Sequence, residues 1–447
     1  MAAANPFKPT FGVSPPLLVG RDGLIEDVTE ALEGGPGSPG RATLYTGARG
    51  SGKTVLLNAV EDRARELGWE VVSETASPWL VNRITHEHLP GLLRELDPDV
   101  ISRRLGGLNL PLGPLGSVGA NWATIERHIE EAGLRNQLQL VTDLLGEADG
   151  GLLITVDEVH HRHIDELREL TTTVQRLFRE NREVAFVGAG LASAVMDVVN
   201  DPVLTFLRRA DRHHLGRVLE LDVAQGIRQP IFEAGRAVGD DALDVMVRAT
   251  GGYPFLIQLV GHYSWMQSKD RTEISVEDAA AGAQQARRRV GSLVYEPALA
   301  DTSDIDRTFL VAMAQDDGPS KMADIQGRMG VDASYASQYR RRLIATELIE
   351  SSSYGYVDFA LPYLREYLRD EAASAGLVHA ARAPAALPGG RPSLDRGRDN
   401  ADAVVDEVEA DVGLELSTVV EEEPYDQELH RGTDGDGSLG IDPDLSL

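Results

Sequence analysis

The chain of 447 residues contains no cysteine. Disulfides and thiolate metal sites are therefore excluded, and with them a secreted disulfide scaffold. It has no apolar run of about 18 residues, so no membrane span is expected. The N-terminus, Met1-Ala-Ala-Ala-Asn-Pro-Phe7, lacks a basic region followed by an apolar stretch. No signal peptide is expected, and a cytoplasmic protein is the default. Lysine is scarce: only Lys8, Lys53, Lys269 and Lys321 occur, and the other bases are arginines. What the chain has in excess is acid, with a net charge of −28. Residues 399–447 hold 16 acids against one base, Arg431, so the body is far less acidic than the total suggests. The 42% of hydrophobic residues is enough for a sizeable interior, and the length suits two or three domains.

Residues 1–18 carry Pro6, Pro9, Pro15 and Pro16 and read as an extended arm. A helix is expected from Leu24 to Leu32, a short strand over Ala42–Thr46, a helix over Thr54–Leu67 and a strand over Glu70–Thr75. That β-α-β order is the mark of a parallel sheet. Residues 80–146 read as mostly helical, interrupted by a Gly/Pro-rich insertion at 108–122 with no assignable form. Leu152–Val156 is a continuous apolar run, as in a central strand buried on both faces. Ile164–Asn181 reads as a helix and Val184–Val187 as a strand ended by Gly188-Ala-Gly190. The pattern from Ala224 to Val294 is helical. From about Ala373 the chain turns Ala/Pro/Gly-rich and then acidic, which predicts disorder.

Gly47-Ala48-Arg49-Gly50-Ser51-Gly52-Lys53-Thr54 fits G-x-x-x-x-G-K-[ST] between an expected strand and an expected helix. Glycines let backbone N–H groups converge on phosphate oxygens, and the helix N-terminus adds positive potential. Lys53 is the candidate contact to the β- and γ-phosphates, Thr54 a candidate Mg²⁺ ligand, and Val55 a further nucleotide contact. Leu152-Leu-Ile-Thr-Val-Asp157-Glu158 is an apolar strand ending in two carboxylates. Asp157 is the expected second holder of Mg²⁺, and Glu158 the expected general base for an attacking water. ATP with Mg²⁺ is the cofactor these residues predict. A surface salt bridge is the plain alternative for Glu158. His160, His161 and His163 follow directly. Only His160 and His163 share a helix face, so a structural role is expected rather than a metal site.

Val19-Gly20-Arg21-Asp22 stands before the P-loop, and Thr250-Gly-Gly-Tyr-Pro254-Phe255 lies in the helical stretch. With these elements the chain resembles P-loop ATPases of the AAA+/STAND group, nearest to the archaeal-type and origin-recognition initiator ATPases, over roughly residues 17–370. The resemblance implies an α/β P-loop NTPase with a parallel sheet, an all-α lid and a C-terminal winged helix-turn-helix. It implies adenine contacts at Val19, Gly20 and Arg21, and a nucleotide contact at Pro254. It divides the chain into an arm (1–18), an ATPase core (19–222), a lid (223–300), a winged helix (301–372) and a disordered acidic tail (373–447). An arginine acting across a subunit interface is implied near Phe206-Leu-Arg208-Arg209-Ala-Asp-Arg212, with Arg209 and Arg212 the candidates; a solvated basic turn is the alternative. The strand before Ser193 lacks the family's polar sensor residue, and the lid lacks a clear sensor arginine. Both gaps favour slow hydrolysis and a switch over a fast motor.

Residues 304–371 read as helices over Asp306–Ala314, Lys321–Met329 and Ser334–Thr346, then a hairpin over Leu348–Phe359 turning at Gly355. If this unit binds duplex DNA, its third helix enters the major groove with Ser334, Tyr335, Ser337, Gln338, Arg341 and Arg342 exposed. Against that stands its modest basicity, Arg340-Arg341-Arg342 among nearby acids. Two functional expectations follow. One is an ATP-dependent switch whose winged helix binds double-stranded DNA. The other is a signalling scaffold that forms a homo-oligomer through protein contacts when ADP is exchanged for ATP.

Overall fold

A computed structural model describes residues 4–10, 12–96, 133–267, 270–300 and 302–374, with only the backbone of His161. The insertion at 108–122, and the acidic tail from residue 375 on, lie outside the described residues. No described helix is long and apolar enough to cross a membrane.

Helix α1 (Asp22–Glu33) leads through a Gly/Pro-rich turn to β1 (Ala42–Thr46), the P-loop and α2 (Lys53–Glu66). Strand β2 (Glu70–Thr75) is followed by a helical stretch, Leu80–Glu95, then α3 (Leu134–Glu147) and β3 (Leu152–Asp157). Helix α4 (Ile164–Arg179), β4 (Val184–Gly190), α5 (Ala192–Asn200) and β5 (Asp211–His214) complete the α/β part. The five strands form one parallel sheet in the order β2-β3-β4-β1-β5. This is the P-loop NTPase arrangement: the apolar strands β3 and β4 lie inside, where helices cover both faces. One face packs on Leu138, Leu170 and Val174, the other on α2 through Leu56, Leu57 and Val60.

Strand β4 runs further than its sequence suggests. Glycine commonly ends a strand, but Gly188 and Gly190 are paired with Leu44 and Thr46 of β1. A Cβ on Gly190 would stand 2.5 Å from the Val159 carbonyl, and one on Gly188 2.8 Å from Leu44. Here glycine permits close approach and leaves the ladder intact.

Helices α6 (Glu220–Glu233), α7 (Asp240–Thr250), α8 (Pro254–Gln267) and α9 (Val276–Val290) follow. Two-residue strands, β6 (Ala237–Val238) and β7 (Glu273–Ile274), pair beside them. Next come α10 (Asp304–Ala314), β8 (Ser320–Lys321), α11 (Met322–Met329), α12 (Ala333–Ala345), β9 (Ile349–Ser353), β10 (Tyr356–Phe359) and α13 (Leu364–Ser374). The expected hairpin β9–β10 gains β8 as a third antiparallel strand. Strand β8 and helix α13 were not anticipated.

The helical part and the C-terminal unit share one core. It runs without a break from Val218 through Leu256 and Tyr295 to Phe309, Leu343 and Leu368. Polar anchors join them as well. The Tyr363 hydroxyl donates to the Ala249 carbonyl at 2.8 Å, Tyr295 donates to the Pro362 carbonyl, and Arg287 stacks on the Tyr363 ring at 4.0 Å. The arm belongs to this core too. Phe7 is 3% exposed against α8, where Gly261 leaves room for its ring. Asn5 bonds His262, and the Lys8 N–H donates to Gln258. Asn58 of α2 donates to the Gly12 carbonyl and to Ser14. The described residues of the arm form no helix or strand, yet they are docked on both α8 and α2.

Candidate functional site

The P-loop leaves β1 at Gly47 and enters α2 at Lys53. Gly50 and Gly52 have φ of 78° and 93°, in the left-handed region that favours glycine. A Cβ on Gly50 would stand 2.3 Å from the Tyr253 hydroxyl. That hydroxyl donates to the Arg49 carbonyl, so the Gly-Gly-Tyr-Pro element clamps the loop from above. The Gly252 carbonyl in turn accepts from the Val218 N–H at 2.7 Å. Arg49 reaches away to the Pro297 carbonyl at 3.3 Å. Ser51 is buried, and its hydroxyl has no partner among the described residues. An orphaned donor in such a loop fits an anion.

The Lys53 ammonium donates to the carbonyls of Gly47 at 2.6 Å and Ala48 at 3.0 Å. Burial pushes its pKa below the ordinary lysine value. The carboxylates of Glu347, Asp157 and Glu158 oppose that, and Arg49 adds to it. Thr54 donates its hydroxyl to Asp157 Oδ2 at 2.6 Å, which brings the tips of α2 and β3 together. These two oxygens suit a small hard cation. Asp157 Oδ1 accepts the Glu158 N–H at 2.8 Å. Glu158 is exposed and sits at φ 53°, which is uncommon for a residue with a Cβ.

A cleft with about 910 Å³ of atom-free space, partly open to solvent, starts at the P-loop and runs under the arm. Gly50, Ser51, Gly52, Lys53, Thr54 and Val55 line its phosphate end. Val19, Arg21 and Pro254 also line it, Pro254 beside Gly52, while Gly20, Gly47, Ala48 and Arg49 do not border it. Burial lowers the Arg21 pKa, and Asp222 counters it; one guanidinium nitrogen donates to the Gly216 carbonyl. The sequence reading missed Val13, Leu17, Leu18, Phe255 and Gln258 on the same wall. Apolar residues inside the Pro-rich arm were the available signal.

Other expected residues lie apart. Arg209 and Arg212 are exposed, and neither has a hydrogen bond to the P-loop among the described residues. Arg212 stands on the edge strand β5, beside Met196. Arg208 instead caps α5, donating to the Val199 and Asn200 carbonyls at 3.1 Å. The rings of His160 and His163 are 5.0 Å apart and tilted by 50°, and no described residues form a metal-binding cluster of histidine and carboxylate.

A contact absent from the sequence reading closes the site from the C-terminal side. The Ala192 N–H, in the first turn of α5, donates to Glu347 Oε1 at 2.7 Å. The Ser193 hydroxyl donates to the Ala345 carbonyl. The hydroxyl expected nearest the sensor position is thus bound to the end of α12.

Comparison with known proteins agrees with this geometry. Residues 17–187 match the family described as AAA ATPase domain. That stretch is thus similar to AAA ATPase domains, and the sheet order is that of a P-loop NTPase fold. Residues 292–368 match a family described only as a domain of unknown function, DUF8462. No curated protein matches the chain. Among solved structures it is similar to the Walker-type ATPase paby2304 of Pyrococcus abyssi, at 15% identity over 79% of this chain and 96% of that one, with a TM-score of 0.56. It is also similar to the ORC2 protein of Aeropyrum pernix in its ADP form, at 15% identity over 85% of this chain and 100% of that one, with a TM-score of 0.45. The first likeness shows the fold alone.

Proposed function

We propose that this chain is an ATP-binding, slowly hydrolysing switch in which the nucleotide sets whether the C-terminal unit stays docked at the phosphate site. The observation that carries it is the pair of bonds from Ala192 and Ser193 to Glu347 and Ala345. The donors directly follow β4, the neighbour of the strand that delivers the P-loop. A change at the phosphates is therefore one turn of chain away from the docked unit.

Lys53 would meet the β- and γ-phosphates, with the N–H groups of the P-loop and the Ser51 hydroxyl around them. Thr54 and Asp157 would hold Mg²⁺, whose charge offsets that of the phosphates. Glu158, exposed beside them, would accept the proton of an attacking water. Val19, Arg21 and the arm would enclose the base. Slow turnover is supported by Ser193, which is turned to Ala345 and away from sensing. Arg209 and Arg212 are exposed, which suits action on a second copy. An arginine supplied in that way is worth roughly 10³–10⁵ in rate.

Helices α10, α11 and α12 with the sheet β8-β10-β9 support reading the C-terminal unit as a winged helix. Duplex DNA is the second reading, favoured by the exposure of Ser334, Ser337, Gln338 and Arg341 on α12. It is weakened by Arg340, bound to Ser351, and Arg342, bound to Asp306. Molar mass by light scattering distinguishes the readings. The protein is measured in ADP and in ATP with Mg²⁺, with and without duplex DNA, at low and moderate salt. An ATP-driven rise in mass that ignores DNA supports the scaffold. An ATP-dependent complex that weakens with salt supports DNA. Identical mass and DNA affinity in every nucleotide state would refute both.

A further inference from the structure

We propose that Glu347 makes the docked state selective for a nucleoside diphosphate, because its carboxylate stands at the phosphate end of the site and opposes a γ-phosphate. This rests on the switch reading above and assigns its direction.

Glu347 is unusual in three ways at once. Its backbone is left-handed, with φ 57°, in the turn between α12 and β9. A residue with a Cβ seldom adopts that conformation without a compensating role for its side chain. It is 7% exposed, which is rare for a carboxylate. One oxygen accepts the Ala192 N–H at 2.7 Å, while Oε2 is buried and has no partner among the described residues. A half-satisfied buried carboxylate destabilises the fold unless something else uses it.

Its surroundings show that use. Of the carboxylates acting on Lys53, Glu347 acts most strongly, ahead of Asp157 and Glu158. Its charge also reaches Tyr253, the residue that clamps the P-loop. Burial pushes the Glu347 pKa upward, while the Ala192 N–H, Lys53 and His214 hold it down. The docked unit thus brings a carboxylate from the turn after α12 to the end of β4, the neighbour of the strand that delivers the P-loop.

A γ-phosphate needs the same lysine. It would bring a second set of negative charges beside a carboxylate in a poorly hydrated cleft, where like charges repel strongly. A diphosphate reaches the lysine only with its β-phosphate and places less charge there, so the docked state tolerates it better. With a triphosphate, the favoured state is the one in which Glu347 has withdrawn. Withdrawal breaks the Ala192 bond and releases the Ser193 contact to Ala345, two residues before Glu347. Differential affinity of this kind is what lets a ligand shift a two-state equilibrium.

The test is titration of fluorescent ADP and of a fluorescent non-hydrolysable ATP analogue, both with Mg²⁺. The full chain is compared with Glu347→Gln, Glu347→Gly and Lys53→Ala. Glutamine keeps an acceptor for Ala192, whereas glycine suits the left-handed backbone, so the two variants do not share one structural weakness. The wild type is expected to prefer ADP by about tenfold or more, with both Glu347 variants losing most of that preference through tighter binding of the triphosphate. ADP affinity stays within about twofold. An unchanged preference in both variants, or a wild type with no preference, overturns the inference. Lys53→Ala separates the two levels: if it binds nucleotide like the wild type, the site assignment itself has failed. If it loses binding while the Glu347 variants keep the preference, only the role of Glu347 has failed.

Discussion

Phe7→Ala tests whether the arm is a working wall of the nucleotide cleft. The ring is 3% exposed and fills the space that Gly261 leaves on α8. Truncating a buried phenylalanine costs about 3–5 kcal/mol in a closed core. Here the arm is a terminal segment, so the protein escapes the cost by releasing the arm rather than by unfolding. The remaining ties are the Asn5 bonds to His262 and the Lys8 bond to Gln258, each worth about 1 kcal/mol at most in partly exposed settings. A loss of about 3 kcal/mol raises the open population of the arm by about 100-fold. Amide hydrogen exchange should show faster exchange at Lys8 and the neighbouring amides, with β3 and β4 unchanged. Nucleotide affinity should fall, because Val13, Leu17 and Leu18 leave the cleft wall. Unchanged exchange in the arm, or unchanged affinity with a released arm, refutes the reasoning.

Further outcomes follow from the same geometry. Lys53→Ala should weaken ATP binding by orders of magnitude in a calorimetric titration, because Lys53 is the cation within the P-loop itself. Glu158→Gln should bind ATP as the wild type does and lose phosphate release in a turnover assay. Glu180 is held well below the ordinary carboxylate range, at about 2, by Arg182, Gln139 and Arg135. A carboxylate with a depressed pKa stabilises the fold above its unfolded value and loses that contribution as pH falls through the folded one. Glu180→Gln should therefore cost about 1 kcal/mol at pH 7, since the group faces solvent, and the difference in melting temperature should shrink steadily below about pH 4.

Much of the sheet was legible because its signals are local. Ala42–Thr46 and Glu70–Thr75 are strands at the residues expected, and the continuous apolar run predicts β3 to within its final Asp157. The loop between β1 and α2 falls at the expected residues, and Thr54 meets Asp157 across the spacing the motif sets. What was illegible depends on distant residues. Strand β5, Asp-Arg-His-His, has no apolar pattern and owes its form to pairing with β1. The arm reads as a linker, but Phe7 meets a glycine 254 residues later in the chain, and no local pattern announces that. Glu347 reads as an ordinary surface acid at a helix end. Its burial arises only when α12 packs on α5.

The most direct test of the switch uses the absence of cysteine in the chain. Asp197 of α5 and Ser337 of α12 are both exposed and can each be replaced by cysteine and spin-labelled. The distance between the labels is then measured by pulsed electron resonance in ADP and in a non-hydrolysable ATP analogue with Mg²⁺. A single short distance in ADP, replaced by a longer and broader distribution with the triphosphate, is the predicted result. The same narrow distance in both states would contradict the account.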